Sequence, residues 1–369
     1  MSSNLLHTPE GVRDIYGSEY QQKKHIEALI GEQMHRYGYE GIDTPTFEFF
    51  DVFSKEVGTT SSKDLYKFFD KEGNTLVLRP DFTPSMARCG VKYFGDNEQI
   101  RFSYCGSTFA NTSNLQGKLK EATQMGAELM GDDSVHADAE MIALLIDSLK
   151  ACGLKDFIVS VGNVDYLGGL CEEAGLSRET ELELREFLCV KNLIGAQQLL
   201  CEANVDDRFK EALLNTGEIF GQKEALDKAE EFALNGRSKQ AIERLRELYE
   251  NLKLYGVEQY VSFDLSMISK YYYYTGIIFR AYTYGVGDAI CKGGRYDNLL
   301  SHFGKDLPAV GFMVLVDDLL NALKSKKLTE SFVDDTEILY YNADNYEEVL
   351  KQAIDKRKNG SFVRLCKMK

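Results

Sequence analysis

The chain has 369 residues, 44% hydrophobic and 27% charged, which suits a globular protein of two or three domains around one large core. Its formal net charge of −15 leans against a nucleic-acid surface, which must neutralise phosphates with clustered Lys and Arg. No run of 18 apolar residues is present to span a membrane.

The opening residues 1–11 carry neither a basic region nor an apolar stretch of signal length, so no secretory leader is expected. Eight scattered cysteines, with no CxxC pair and no histidine at zinc spacing, read as structural thiols of a cytoplasmic protein, with no metal site. Residues 8–14 (TPEGVRD) form a turn-rich opening, and residues 19–37 show helical spacing, with Ile26, Leu29, Ile30 and Met34 on one face. His25 and His35 on this helix read as solvated or capping groups. Strands are expected at 65–69 and 75–78, joined by a turn that Gly73 supplies. They lead into RPDFT at 79–83, a strand-to-helix turn in which Thr83 can cap the helix 84–89 and Arg79 can serve as an ion-pair partner.

Residues 101–109 and 122–130 read as two strands flanking a polar excursion at 111–120. Gln124, Gly126 and Glu128 share one face of the second strand, with Gly126 leaving room for a ligand. An amide, a gap and a carboxylate in line can hold the ammonium of a small zwitterion; an exposed hairpin face is the other reading of the same pattern. A helix follows from residue 136 to about 149, with Asp138 and Glu140 suited to its positive start, then a buried strand at 157–161. From about 167 to 255 the composition shifts to Glu, Leu, Lys and Ala with helical spacing, and the chain returns to the sheet near 260–265. In the run YYYY at 271–274, alternation along a strand would send one pair of tyrosines to the core and the other to a polar cavity. Gly285 and Gly287 make a lone GxG, too weak to mean a nucleotide loop. Beyond a basic linker at 324–327, residues 337–363 read strand, helix, strand.

Several of these segments together resemble class II aminoacyl-tRNA synthetases of the histidyl type. They are GSTF at 106–109 with QGK at 116–118 and QMGAEL at 124–129, LRPDFT at 78–83, YYTG at 273–276, GGRYD at 293–297 and the PAVGF opening at 308–312. The resemblance covers residues 8 to about 320. It implies an α+β fold, a class II aminoacyl-tRNA synthetase-like antiparallel sheet flanked by helices, with a helical insertion and a short truncated α/β tail. The implied divisions are a core in two parts (1–166 and 259–325), a helical insertion (167–258) and a tail like a truncated anticodon-binding domain (333–369). The segment 41–48, with Pro45, corresponds to the motif that usually forms the family's dimer interface.

The family's chemistry is not carried over whole. Where it has arginines for ATP and the amino-acid carboxylate, this chain has Ala110, Ser269 and Asp318. Losing one such charge-stabilising contact costs about 10²–10³ in rate, so three losses would leave no useful adenylation. The amino-acid side is kept, and the resemblance implies histidine ligands at Asp81, Thr83, Gln124, Glu128, Tyr273 and Tyr274, with no catalytic residue, metal or cofactor. A synthetase-like body of this kind resembles the regulatory-subunit family of ATP phosphoribosyltransferase. That family assembles with a short-form catalytic subunit for the first step of histidine biosynthesis and allows feedback inhibition by histidine. The implied partners are that catalytic subunit, a second copy as a dimer, and histidine. A divergent histidyl-tRNA synthetase-like ligase and a synthetase-paralogue binding module acting in translation are the alternatives.

Overall fold

The computed structural model describes residues 6–53, 60–95, 98–111, 119–267, 273–329 and 336–368. Ser269, the tyrosines at 271 and 272, the stretch 112–118 of the polar excursion and the tail's first residues, 333–335, lie outside the described residues.

The amphipathic spacing near the N-terminus forms α1 (Gly17–Arg36), which buries Ile26, Ile30 and Met34. A short β1 (Glu40–Gly41) follows. Next come β2 (Phe47–Phe49), β3 (Lys67–Phe69) and β4 (Thr75–Leu78), a small antiparallel sheet in the order β2-β4-β3. Gly73, at φ +87°, makes the tight β3–β4 turn. Then α2 (Thr83–Tyr93) precedes the long hairpin β5 (Ile100–Phe109) and β6 (Glu121–Met130). α3 (Val135–Ala151), capped by the Ser134 hydroxyl, and β7 (Phe157–Asn163) complete the first part.

The stretch that follows is divided into helices by polar caps. Side chains of Asn163, Ser177, Asn192 and Asp206 each accept a first-turn amide, opening α4 (Val164–Glu173), α5 (Arg178–Cys189), α6 (Leu193–Glu202) and α7 (Asp207–Thr216). A short β8 (Phe220–Gly221) and α8 (Glu224–Glu231) lead to α9 (Gly236–Tyr255), capped by Asn235 and ended by Gly256 in the left-handed region. The chain then re-enters the sheet as β9 (Val261–Asp264), β10 (Ile277–Thr283), β11 (Cys291–Arg295) and β12 (Ala309–Leu315), closed by α10 (Val316–Ser325). The tail is β13 (Glu337–Tyr341), α11 (Tyr346–Lys358) and β14 (Val363–Lys367), its two strands parallel.

The main sheet runs β1-β5-β6-β12-β11-β10-β7-β9-β8 and is antiparallel except at β1–β5 and β7–β9. Its two faces divide the apolar residues by alternation. Met125, Ala127 and Leu129 of β6 join Phe312 and Val314 of β12 in the large core with α1, α3 and α10. That core also takes in the helices α4 to α9. The opposite face carries a smaller cluster around Phe82, Met86, Phe102, Tyr104 and Tyr296, and the cavity described below.

Arg295 of the GGRYD run is structural. It is 2% exposed and donates from Nε to Asp138 Oδ1 at 2.8 Å, while Arg244 of α9 donates to the other carboxylate oxygen at 2.8 Å. Asp138 therefore does more than favour a helix start, as its sequence position alone suggested. It ties β11 and α9 to α3. Glu140 likewise pairs with Arg101 and accepts from the Tyr39 hydroxyl. A buried carboxylate flanked by two guanidiniums is favourable only as a set, because removing either partner leaves uncompensated charge.

Candidate functional site

All six site residues read from the sequence meet in one cavity of about 620 Å³, a volume suited to a small-molecule ligand. Asp81 and Thr83 come from the turn into α2, Gln124 and Glu128 from β6, and Tyr273 and Tyr274 from the segment before β10.

Glu128 is buried, only 1% exposed. Its Oε1 accepts from the Thr83 hydroxyl at 2.8 Å, and its Oε2 accepts from the Tyr296 hydroxyl. Register explains how a carboxylate fits there. Glu128 lies opposite Gly311 of β12, which lies opposite Gly294 of β11. A Cβ at Gly311 would fall 1.6 Å from Glu128 Oε2, and one at Gly294 would fall 2.6 Å from the Tyr274 ring. Two glycines thus empty one row of the sheet so that the carboxylate and the phenol ring can lie over it. Gly311→Ala should displace the carboxylate and cost about 1–3 kcal/mol of stability by overpacking. Urea unfolding at neutral pH measures this, and an unchanged midpoint would count against it.

Thr83 does not cap its helix. It is the first residue of α2; its amide donates to Asp81 Oδ1 at 3.0 Å across the turn, and its hydroxyl donates to Glu128. Arg79 is held by backbone rather than by a carboxylate, donating to the Ser107 carbonyl at 2.9 Å and the Thr44 carbonyl at 2.6 Å, with its guanidinium over the Phe82 ring. The space beside Gly126 is not left for a ligand either. An added Cβ would meet the Tyr104 hydroxyl at 2.4 Å, so Tyr104, stacked on Phe82, fills it.

The tyrosines also depart from alternation. Tyr273 and Tyr274 both line the cavity, their ring centroids 4.1 Å apart; the strand starts only at Ile277, so both lie outside it. Consecutive side chains of an irregular segment can turn to the same side, which a regular strand forbids.

The electrostatics of this end favour a cationic guest. Burial pushes the Glu128 carboxyl up to about 8, against the pull of the Tyr296 and Thr83 hydroxyls. Asp81, on the cavity wall, is pushed up to about 7 by burial, with its bond from the Thr83 amide acting the other way. Gln124 is 7% exposed and its carbonyl oxygen has no hydrogen-bond donor among the described residues. Two carboxyls reluctant to ionise alone, plus an unsatisfied amide oxygen, form an acceptor-rich pocket that an ammonium or ring N–H would satisfy.

Sequence reasoning missed Tyr296, Gly311 and Tyr104 as parts of the site. Tyr296 was visible inside GGRYD, but only strand pairing brings it to Glu128. The mouth is lined by Thr60 and by Cys189 and Val190 at the end of α5, residues with no sequence signal for such a position. Ala110 follows the end of β5 and Asp318 sits in the first turn of α10; neither lines the cavity. The neighbouring Asp317 is buried, paired with Lys23 at 2.8 Å and accepting from the Thr123 amide. Among the described residues no group of His, Cys, Asp and Glu is arranged to hold a metal ion, and no helix is long and apolar enough to cross a membrane.

A family model described as histidyl-tRNA synthetase matches residues 11–319. The chain is 41% identical to an ATP phosphoribosyltransferase regulatory subunit of Acetivibrio thermocellus, over 89% of this chain and 79% of that protein. It is 35% identical to a protein of the same description from Clostridium kluyveri, over 98% and 93% of the two chains. A solved structure from Bacillus halodurans, described as an ATP phosphoribosyltransferase regulatory subunit/histidyl-tRNA synthetase, matches with a TM-score of 0.89 at 33% identity, covering 99% of this chain and 93% of that one. The histidyl-tRNA synthetase of a Nostoc species, at 19% identity and a TM-score of 0.78, covers 99% of this chain and 86% of its own and shares the fold. The flanked, largely antiparallel sheet is thus the class II synthetase-like α+β fold.

Proposed function

This chain belongs to the family of ATP phosphoribosyltransferase regulatory subunits, and we propose that it acts in the cytoplasm as the histidine-sensing, non-catalytic subunit of that enzyme. The cavity supports the sensing role: its acceptor-rich end brings together half-buried Asp81, buried Glu128 and a Gln124 oxygen that no described residue satisfies. The missing arginines at Ala110, Ser269 and Asp318 support the non-catalytic role. In this reading the chain joins a short catalytic subunit, activates it, and transmits histidine binding as inhibition. Binding can shift the assembly only so far as histidine prefers its inhibited form. The test is reconstitution. Mixed with the short catalytic subunit, the chain should form one larger species by light scattering and confer histidine-sensitive activity. Separate species, or activity blind to histidine, would refute the reading. Histidine-dependent ATP–pyrophosphate exchange by the isolated chain should stay at background; clear exchange would favour the ligase alternative.

The chain also pairs with itself in this reading, through the segment 41–48, which runs from β1 of the main sheet to β2 of the small sheet. Phe47 and Phe49 of β2 are 52% and 56% exposed on one face, and the Phe68 ring stands edge-on to Phe47 at 5.8 Å. Glu48 between them turns inward to Arg88 at 2.6 Å. Burying such an aromatic face is the driving force for association. Phe47→Asp with Phe49→Asp should convert a dimer to monomers in light scattering, at unchanged helix content. A variant that stays dimeric would place the interface elsewhere.

A further inference from the structure

The cavity is walled in part by the helical insertion and not by the sheet alone. Cys189, the last residue of α5, and Val190, which follows it, line the mouth together with residues of β10, β11 and β12. Val190 is 73% exposed although it belongs to that wall. The turn that carries it is well made. The Val190 amide donates to the Glu186 carbonyl at 3.3 Å, the Lys191 amide to Leu188 at 3.0 Å and the Asn192 amide to Phe187 at 2.8 Å. Lys191 takes the left-handed region, φ +54°, and the Asn192 side chain caps α6. A turn held in this way moves with its two helices. Those helices are anchored from behind by apolar packing, Leu184 and Leu188 of α5 and Ala196 and Leu200 of α6 entering the large core. Such packing is non-directional, and packed helices can shear past one another by small steps.

Resting on the reading of this cavity as a histidine site, we propose that the α5–α6 turn, residues 189–192, is a clamp that closes on the bound ligand, with Val190 as its contact. The cavity, about 620 Å³, is sized for a drug-like ligand, so a single amino acid leaves room for a wall to come in. An amino acid held at the acceptor-rich end by Asp81, Gln124 and Glu128 presents its carbon atoms toward the remaining space. Drawing the turn inward covers that apolar surface and the exposed Val190 side chain together. Closure also excludes water from the buried carboxylates, which strengthens their hold on an ammonium. Occupancy of the cavity is thereby linked to the position of α5 and α6, and the insertion carries the signal along with the sheet.

Alkylation of the full chain by iodoacetamide, followed residue by residue by peptide mass spectrometry, reads the clamp directly. Cys189 and Cys201 are both exposed, and of the two only Cys189 lines the cavity. Saturating histidine should slow modification of Cys189 roughly tenfold and leave that of Cys201, on α6, within about twofold. Hydrogen exchange at the amides of the turn and the adjoining ends of α5 and α6 should slow by about threefold or more. In calorimetry, Val190→Ser should weaken histidine binding roughly three- to tenfold, a fraction of what full burial of a valine is worth. Ile194→Ser, at a position 74% exposed on α6 that does not line the cavity, should change it by less than about twofold. Shielding of Cys189 without slowed exchange would mean a fixed wall, and an unshielded Cys189 or a Val190→Ser protein that binds as the wild type does would mean no contact. Each of these overturns the clamp and leaves the histidine reading intact. Absence of histidine binding to the wild type would overturn that reading and this inference together.

Discussion

Glu128→Gln should weaken histidine binding roughly ten- to hundredfold, the loss expected for a charge-assisted hydrogen bond worth about 1.5–3 kcal/mol. The amide oxygen can still accept from one of the two hydroxyls, Thr83 or Tyr296, while its NH2 donates to the oxygen of the other, so the fold is kept. What is lost is the charge facing the ligand's ammonium. In the reconstituted complex the variant should still activate the catalytic subunit and should need correspondingly more histidine for inhibition. Calorimetry and inhibition curves on the two proteins measure both effects. If affinity and inhibition are unchanged in the variant, histidine is sensed somewhere other than this cavity.

The second large effect is a pH dependence with opposite signs for the empty and occupied protein. In the unfolded chain Glu128 and Asp81 titrate in the ordinary carboxylate range, whereas folding lifts them to about 8 and about 7, mainly by burial. The folded state therefore holds protons that the unfolded chain releases. Stability from these groups is fully present below pH 4 and is lost as pH rises through about 7 to 8. Without ligand, the melting temperature should fall between pH 6 and pH 9, and Glu128→Gln should flatten that fall by removing one of the two groups. Histidine works against the trend, because its ammonium stabilises both carboxylates. Its affinity should rise roughly tenfold from pH 6.5 to pH 8, with protons released on binding, since a one-unit shift corresponds to about 1.4 kcal/mol. A histidine affinity flat across that range, or a melting temperature that climbs with pH in the empty wild type, would mean that these carboxyls are already ionised without ligand.

The same cavity separates what could be read locally from what could not. Alternation along β6 showed that Gln124 and Glu128 share a face, and the structure puts both on the cavity side while Met125, Ala127 and Leu129 pack into the large core. The helices between Val164 and Tyr255 were legible for a similar reason, since spacing and capping side chains act within a few residues. Motif resemblance added the six site residues, and all six line one wall system.

Three-dimensional pairing decided the rest. Gly311 matters because strand register sets it against Glu128, and nothing near either residue in the chain announces that contact. Gly126, read as space for a ligand, is filled by Tyr104 because β5 lies beside β6 in that register. Tyr273 and Tyr274 face the same way because their segment is not a strand, and Asp138 is an ion-pair hub because Arg295 and Arg244 arrive from distant elements. Burial then moved the carboxyl pKa values, an effect of the surrounding low-dielectric protein that no local pattern encodes. Alternation and capping depend on neighbours along the chain, so the sequence by itself determined the elements, their faces and the residue types available for binding. Register, burial and charge pairing depend on neighbours across it, so only the tertiary structure decided which of those residues meet and in what state of protonation.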